Sequence, residues 1–207
     1  MHELILGGQK SGKSRTAEMR AARWLAVPGR QAVLIATAQA ADAEMQRRIA
    51  RHRSDRALRV PGLATHEEPR DLAAALRQHC AAHRLVVVDC LTLWLTQLAM
   101  PLAGRGAGPT ELAAQVDRLV LALRDAAGPV VLISNEIGLG VAPMSPEARD
   151  FVDALGSLHQ AVAAACRRLA NRDASPRERV TRPCLNAAAR SSSAAASPLA
   201  SATSSLA

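Results

Sequence analysis

The sequence predicts an α/β domain in which a mostly parallel β-sheet is flanked by helices. Short apolar runs alternate along the chain with longer stretches of helical periodicity. The apolar runs are continuous, as in strands that are buried on both faces of a sheet. Each run also ends at Gly, Thr, Asp or Ser-Asn. Ligands bind at the carboxyl ends of the strands in such sheets, so these polar residues mark the expected binding edge.

Four strands are predicted from these runs, at residues 3–6, 32–36, 85–88 and 130–133. A weaker strand is expected within residues 58–65, where Pro61-Gly62 interrupts the pattern. The stretches between the strands predict helices at residues 15–25, 42–53, 69–83, 110–126 and 146–169. Pro69 and Pro146 suit the first turn of a helix.

A change of composition near residue 166 divides the chain into one domain, residues 1–166, and a tail, residues 167–207. The tail is Arg-rich and then Ala/Ser-rich, and it carries no charge after Arg190. Such a segment buries too little apolar surface to offset the entropy of ordering it. We therefore expect the tail to be disordered.

The net charge of +8 does not indicate nucleic-acid binding, because the tail holds most of it. Seven arginines and two acidic residues give the tail 7 − 2 = +5, which leaves +3 for residues 1–166. No aromatic residues interleave with the basic ones as stacking platforms would. No apolar run reaches 18 residues and no export signal opens the chain, so we expect neither membrane spanning nor secretion.

The cysteines form no CxxC pair and have no metal-ligand spacing. They are Cys80, Cys90, Cys166 and Cys184. Cysteines in this pattern are typical of small buried hydrophobic residues in a reducing compartment. A cytoplasmic location is expected.

The strongest motif is G-x-x-x-x-G-K-[ST], directly after the first strand and directly before the first helix. It comprises Gly7, Gly8, Gln9, Lys10, Ser11, Gly12, Lys13 and Ser14. In this P-loop the backbone amides cradle phosphate oxygens, Lys13 reaches the β- and γ-phosphates, and the Ser14 hydroxyl reaches Mg²⁺. A chance Gly-rich turn is the alternative. The motif makes the predicted fold P-loop NTPase-like.

Asp89 closes the third predicted strand and is the candidate magnesium-side acid. A carboxylate at a strand tip beside a P-loop holds Mg²⁺, often through water. The alternative is that Asp89 only caps the next helix.

His52 shares one helix face with Met45 and Ile49, at spacings i, i+4 and i+7. A histidine on an inward face is commonly structural. A neutral imidazole nitrogen can also attack phosphorus and hold a nucleotidyl group. Residues 134–140, and likewise Glu67 and Glu68, are compatible with either a polar turn or a ligand role.

Six motifs together resemble one family closely. They are GGQKSGKS at 7–14, ATA at 36–38, D-x-E-M-x-x-R-I-x-x-H-R at 42–53, T-x-E at 65–67, V-D-C-L-T-L-W-L-T at 88–96 and S-N-E-I-G-L-G-V-x-P at 134–143. The resemblance is to the bifunctional adenosylcobinamide kinases and adenosylcobinamide-phosphate guanylyltransferases of cobalamin biosynthesis. It runs from about residue 3 to residue 166.

The resemblance implies two reactions on a corrinoid substrate. ATP or GTP phosphorylates the aminopropanol hydroxyl of adenosylcobinamide. GTP then gives GMP to a histidine, by position His52, which passes it to the new phosphate and forms adenosylcobinamide-GDP. The P-loop and the strand-end acid predict Mg²⁺, with Ser14 and Asp89 on the metal side, and the family implies a homotrimer.

The family's nucleotide contacts carry over to positions that the residues alone do not assign. Besides Gly7 through Ser14 they are Thr37, Ala38, Gln39, Arg53, Ser54, Asp55, Arg56, Glu67 and Asp89. Lys13 and His52 are the implied catalytic residues.

The C-terminus departs from the family pattern. After residues 155–160 the family continues with a further strand, a turn and a closing apolar strand, whereas this chain becomes Arg-rich and then Ala/Ser-rich. We therefore expect the C-terminal strands to be missing or replaced, and we offer a reading-frame change near residue 166 as a hypothesis. Resequencing the locus tests it, since an intact frame would refute it.

Two rival functions are kept. One is a P-loop kinase for another small hydroxylated substrate, with a structural His52. The other is a nucleotide-binding protein that has lost catalysis with its truncated sheet.

Overall fold

The structure, a computed structural model, describes residues 2–138, 140, 143–171 and 182–183. The strands are β1 His2–Gly7, β2 Gln31–Ala36, β3 Leu63–Glu67, β4 Arg84–Asp89, β5 Val130–Asn135, β6 Arg168–Asn171 and β7 Arg182–Pro183. The helices are α1 Lys13–Leu25, α2 Ala43–Arg59, α3 Leu72–His79, α4 Leu91–Ala99, α5 Pro109–Arg124 and α6 Pro146–Ala165.

The strands form one sheet in the order β3-β2-β4-β5-β1-β6-β7. Every neighbouring pair is parallel except β6 and β7. The carboxyl ends of the first five strands therefore share one edge, where β5 lies between the P-loop strand β1 and the Asp89 strand β4. This arrangement confirms the predicted fold class.

Side chains alternate between the two faces of the sheet and build a separate core on each. One face packs Ile5, Val87 and Ile133 against Ala17 and Ala21 of α1. The opposite face packs neighbouring strand residues against α3, α4, α5 and α6, in a core that includes Leu4, Val86, Val88, Leu132, Trp94 and Leu158. Residues two apart on a strand share a face of the sheet. The position of a residue at the end of a strand therefore shows which helices lie on its side of the sheet.

The four predicted main strands are confirmed, and each is longer by one or two residues. The weaker strand was placed too early, because α2 continues to Arg59 and β3 starts at Leu63. Pro146 occupies the first turn of α6 as predicted, but Pro69 does not begin a helix. Asp71 caps α3 instead, accepting a hydrogen bond from the backbone of Ala74 at 3.0 Å.

The C-terminal part of the sheet differs from the expectation. The last helix was predicted to reach residue 169 but ends at Ala165, and β6 pairs with β1 from Arg168 to Asn171. Two further residues, β7, pair with β6. The sheet thus extends beyond the boundary predicted at residue 166. The other tail residues, 172–181 and 184–207, with Cys184 among them, lie outside the described residues, so their expected disorder stays a prediction, as does the reading-frame change.

No helix in the described part of the chain is long and apolar enough to cross a membrane.

Candidate active site

The P-loop connects β1 to α1 and places Lys13 at the first position of the helix. Gly12 caps the helix with φ 87°, a left-handed conformation that suits glycine. The Lys13 side chain folds back over the loop, where Nζ donates to the Gly8 carbonyl at 2.5 Å and lies 3.4 Å from Ser11 Oγ. The ammonium group therefore lies over the loop whose amides would surround a phosphate.

Asp89 and Ser14 meet at the same edge of the sheet. The Ser14 hydroxyl donates a hydrogen bond to the Asp89 carboxylate. Burial raises the pKa of Asp89, while Ser14, His52, Arg56 and Lys13 act in the opposite direction. A carboxylate and a hydroxyl are hard oxygen donors of the kind that Mg²⁺ prefers, so the two residues fit the role that the sequence predicts for them.

His52 lies on α2 with its ring half-buried and within electrostatic reach of Asp89. Met45 and Ile49 are half-buried on the same face, which confirms the predicted inward face. Burial lowers the pKa of His52, and Arg48, Arg51 and Arg56 lower it further against the opposing effect of Asp89. The ring is therefore neutral near pH 7, which leaves one nitrogen with a free electron pair.

Arg56 is the buried residue of α2. Its Nη2 lies 3.4 Å from Thr65 Oγ1 on β3. Burial lowers the pKa of Arg56, and the negative charges of Asp89 and Glu18 oppose that effect. Arg56 thus contacts β3 and lies within electrostatic reach of the carboxylate beside the P-loop.

A second arginine attaches α2 to the P-loop helix. Arg59 Nε lies 3.1 Å from Glu18 Oε2, and Glu18 is buried on α1. Sequence reasoning missed Glu18, which follows Ser14 by one helical turn. The predicted contacts Ser54 and Asp55 are exposed on α2, and Asp55 lies 3.9 Å from Arg59.

A cleft of about 840 Å³ opens beside this cluster. Four predicted nucleotide contacts line it, namely Ala38, Gln39, Arg53 and Glu67. Arg53 and Glu67 form an ion pair across the cleft wall, between α2 and the end of β3. The lining is completed by other residues of α2, by the segments that follow β2 and β3, and by the end of α4 with the loop after it. Most of the predicted residues therefore fall into a phosphate cluster and a neighbouring cleft.

Thr37 belongs to neither group. Its side chain is fully buried, and its hydroxyl donates to the Cys90 carbonyl at 2.7 Å while accepting from the Cys90 backbone N–H at 2.9 Å. The hydroxyl of Thr37 thus connects the residues that follow β2 and β4, and its predicted nucleotide contact stays a prediction.

The structure also brings together polar residues that sequence reasoning did not connect. Ser134 Oγ lies 3.0 Å from Thr92 Oγ1 and 2.7 Å from His159 Nε2, and all three residues are buried. They come from β5, α4 and α6, so no local pattern could have linked them.

A family model and curated relatives match most of the chain. The family model described as cobinamide kinase / cobinamide phosphate guanyltransferase matches residues 3–171. The bifunctional adenosylcobalamin biosynthesis protein CobP of Pseudomonas aeruginosa is 47% identical over 169 residues, which cover 82% of this chain and 91% of that protein. CobU of Escherichia coli, with the same description, is 33% identical over 171 residues, which cover 78% and 90%.

Comparison with solved structures found matches at low identity. The RadB recombinase has a TM-score of 0.43 at 15% identity, covering 82% of this chain and 73% of its own. The flagellar accessory protein FlaH of Methanocaldococcus jannaschii has a TM-score of 0.44 at 9% identity, covering 82% and 70%. The family model and the curated relatives, by contrast, extend over most of the sequence at substantial identity, and they show that this chain belongs to the family of cobinamide kinases and cobinamide phosphate guanyltransferases.

Proposed function

We propose that this enzyme performs the two reactions of its family at one site, with the P-loop and Asp89 serving phosphoryl transfer and His52 serving guanylyl transfer. The two reactions are phosphorylation of cobinamide and transfer of a guanylyl group to cobinamide phosphate. The observation that carries the assignment is the convergence on Asp89 of Ser14, Lys13 and His52, which come from two different helices.

In the first reaction the P-loop holds the triphosphate of ATP or GTP. Lys13 and the amides of residues 8–14 balance the charge on the β- and γ-phosphates. The aminopropanol hydroxyl of adenosylcobinamide attacks the γ-phosphorus, the bond to the β–γ bridging oxygen breaks, and the nucleoside diphosphate leaves. Catalysis rests on orientation and charge, because little covalent chemistry falls to the protein in such transfers.

Ser14 and Asp89 would hold Mg²⁺ beside the phosphates, Ser14 through its hydroxyl and Asp89 through its carboxylate. The ion supplies charge neutralisation on the phosphate oxygens. The hydrogen bond between Ser14 and Asp89 supports this role, since it keeps the two oxygen donors together at the strand edge. Burial raises the pKa of Asp89, and the positive charges of Lys13 and Arg56 oppose that rise, as a bound Mg²⁺ would.

In the second reaction His52 is the nucleophile. Its neutral imidazole nitrogen attacks the α-phosphorus of GTP, a phosphorus–nitrogen bond forms, and pyrophosphate leaves. A phosphate oxygen of adenosylcobinamide phosphate then attacks the same phosphorus and releases His52, which yields adenosylcobinamide-GDP. The lowered pKa of His52 supports this role, because a protonated ring has no electron pair to donate.

The cleft beside α2 is the proposed place for the rest of the nucleotide. Ala38, Gln39, Arg53 and Glu67 line it, and Arg53 directly follows His52 in the chain. A nucleotide seated there would bring its α-phosphate toward α2. Ser54 and Asp55 remain proposed contacts carried over from the family.

The test is covalent labelling with GTP that is radioactive at the α-phosphate, followed by denaturing electrophoresis. We expect acid-labile, alkali-stable label on the wild type and on a His66→Ala control, and none on His52→Ala. GTP labelled at the γ-phosphate should leave no label. A labelled His52→Ala variant would refute the assignment, and kinase activity without any adduct would favour the rival P-loop kinase.

We further propose a cytoplasmic homotrimer that binds neither membrane nor nucleic acid. Cys80 and Cys90 are free thiols, which suits a reducing compartment. The homotrimer follows the family resemblance. Light scattering of the purified protein should give three times the mass of one chain, and a monomeric mass would refute the trimer.

A further inference from the structure

The carboxyl end of β5 lies between the two halves of the phosphate cluster. In the register of the sheet, Asn135 aligns with Gly7, where the P-loop begins. On its other side β5 pairs with β4, and Asp89 aligns with Ile133. Asn135 therefore stands between the strand of the P-loop and the strand of Asp89, two residues beyond the level of Asp89.

The alternation of side chains places Asn135 and Asp89 on the same face of the sheet. Ile133 packs with the α1 core, and Asn135 follows it by two residues. Val87 packs in the same core, and Asp89 follows Val87 by two residues. Side chains two apart on a strand share a face. Both polar side chains thus extend the face of α1, the helix that begins with Lys13 and Ser14.

The backbone of Asn135 is fixed on both sides while its amide group remains available. Its N–H donates to Thr92 Oγ1 at 2.8 Å. The next N–H, of Glu136, donates to the Gly7 carbonyl at 3.0 Å. The side chain is half-buried, and within the described part of the chain no hydrogen bond of its amide is found. A half-buried amide held in this way is suited to an outside ligand.

A buried polar network holds this strand end in place. Ser134 Oγ contacts both Thr92 Oγ1 and His159 Nε2, so β5 is tied to α4 and to α6 directly before Asn135. Burial lowers the pKa of His159, which keeps its ring neutral, and Glu136 opposes that effect. Buried networks whose members are all hydrogen-bonded fix a single arrangement of the groups that they support.

We propose that Asn135 is a further phosphate-binding residue of this enzyme, donating its side-chain amide to the terminal phosphate of the bound nucleoside triphosphate, and that Ser134, Thr92 and His159 are its positioning residues. The inference rests on the phosphate site proposed above at Lys13 and Ser14. It adds an uncharged hydrogen-bond donor for the γ-phosphate, which is the group transferred in the first reaction.

The first experiment compares the binding of GTP and GDP by titration calorimetry. Loss of one hydrogen bond to a charged group weakens binding by about ten- to a hundredfold. Asn135→Ala should lose that factor for GTP and leave GDP affinity unchanged. Asn135→Asp should weaken GTP binding further by repelling the γ-phosphate. Equal losses for both nucleotides, or no loss for either, would overturn the proposal.

Lys13→Ala separates this inference from the proposed function. If Lys13→Ala binds both nucleotides normally, the phosphate site itself is wrong. If Lys13→Ala loses both nucleotides and Asn135→Ala still discriminates GTP from GDP like the wild type, the phosphate site stands and the role of Asn135 is refuted.

The second experiment tests the positioning residues with a matched pair. His159→Gln places an amide nitrogen where Nε2 lies, whereas His159→Leu removes the hydrogen bond to Ser134. The preference for GTP over GDP, and the kcat of phosphorylation, should fall in His159→Leu and recover in His159→Gln, with KM for adenosylcobinamide unchanged. A lower thermal stability in His159→Leu with an unchanged GTP preference would show that the network serves only the fold.

Discussion

The hydroxyl group of Thr37 makes two hydrogen bonds to one residue, Cys90, donating to its carbonyl oxygen at 2.7 Å and accepting from its N–H at 2.9 Å. The backbone N–H of Thr37 also donates to the Asp89 carbonyl at 3.1 Å. These bonds join the ends of β2 and β4 on both sides of Asp89. They hold the backbone that presents the carboxylate to Ser14.

Thr37→Val should be measurably less stable than the wild type. Valine keeps the shape of threonine but leaves the buried N–H and carbonyl of Cys90 without this partner. We expect the free energy of unfolding to fall by about 2 kcal/mol. Urea unfolding measures the change, and Thr37→Ser, which keeps the hydroxyl, should recover most of it. A valine variant as stable as the wild type would show that the two bonds contribute nothing.

The rate of guanylyl-histidine formation should depend on the protonation of His52. The lowered pKa keeps the ring neutral through pH 7, so the rate should be constant there and fall only as the pH drops below the usual histidine range. Arg48→Gln removes one cation that lowers this pKa, and it should move the falling part of the profile to higher pH. Arg47→Gln is the control. Pre-steady-state labelling from pH 5 to 8 gives the profiles, and superimposable curves would contradict the electrostatic explanation.

His2 should make the fold sensitive to acid. Burial and the nearby chain terminus lower its pKa to about 4, and no hydrogen-bond partner of its buried Nδ1 is found within the described residues. Because the folded-state pKa lies below the unfolded value of 6.5, the stabilisation is complete above pH 6.5 and is lost as the pH falls toward 4. The loss amounts to at most about 3 kcal/mol. Chemical unfolding at a series of pH values should show a shallower loss for His2→Val than for the wild type or for His83→Val.

Glu18→Gln should weaken the attachment of α2 and impair guanylyl transfer more than nucleotide binding. Glu18 faces Arg59 at 3.1 Å and also lies within electrostatic reach of Arg56. Removing a buried partner leaves these cations uncompensated, at a cost of about 3 kcal/mol at most, because Arg59 is partly exposed. The rate of labelling at His52 should fall at least about tenfold. The control is Glu44→Gln, at the exposed start of α2, and equal rates in the two variants would show that Glu18 does not position the helix.

The strands and the P-loop could be predicted because their signals are local. A run such as residues 85–88 is apolar at every position, and each such run ends at a polar residue. The same stretch of sequence therefore predicts both the strand and the edge of the sheet where ligands bind. Helix α4 had no comparable signal, because six of its nine residues are buried and its sequence shows little contrast between faces. Strand β6 escaped prediction because two of its four residues, Arg168 and Asn171, are polar, and pairing with β1 stabilises it.

The residues of the candidate site could be predicted only where they belong to a motif that has a known chemical role. Lys13, Ser14 and Asp89 follow from the P-loop and a strand-end acid. Thr37 bonds to Cys90 across 53 positions of the chain, and Ser134 contacts residues 42 and 25 positions away. Sequence spacing carries no information about such contacts. Glu18 lay within a predicted helix, but only the position of α2 shows what it faces.

Helix α2 has consequences for how substitutions in this enzyme should be interpreted. It is seventeen residues long, Arg56 is its buried residue, and Leu58 is 82% exposed. Substitutions at its other positions remove little packed volume, so the fold should tolerate most of them. A variant of α2 that loses activity while unfolding normally would therefore report on the role proposed for His52 and on the charges around it.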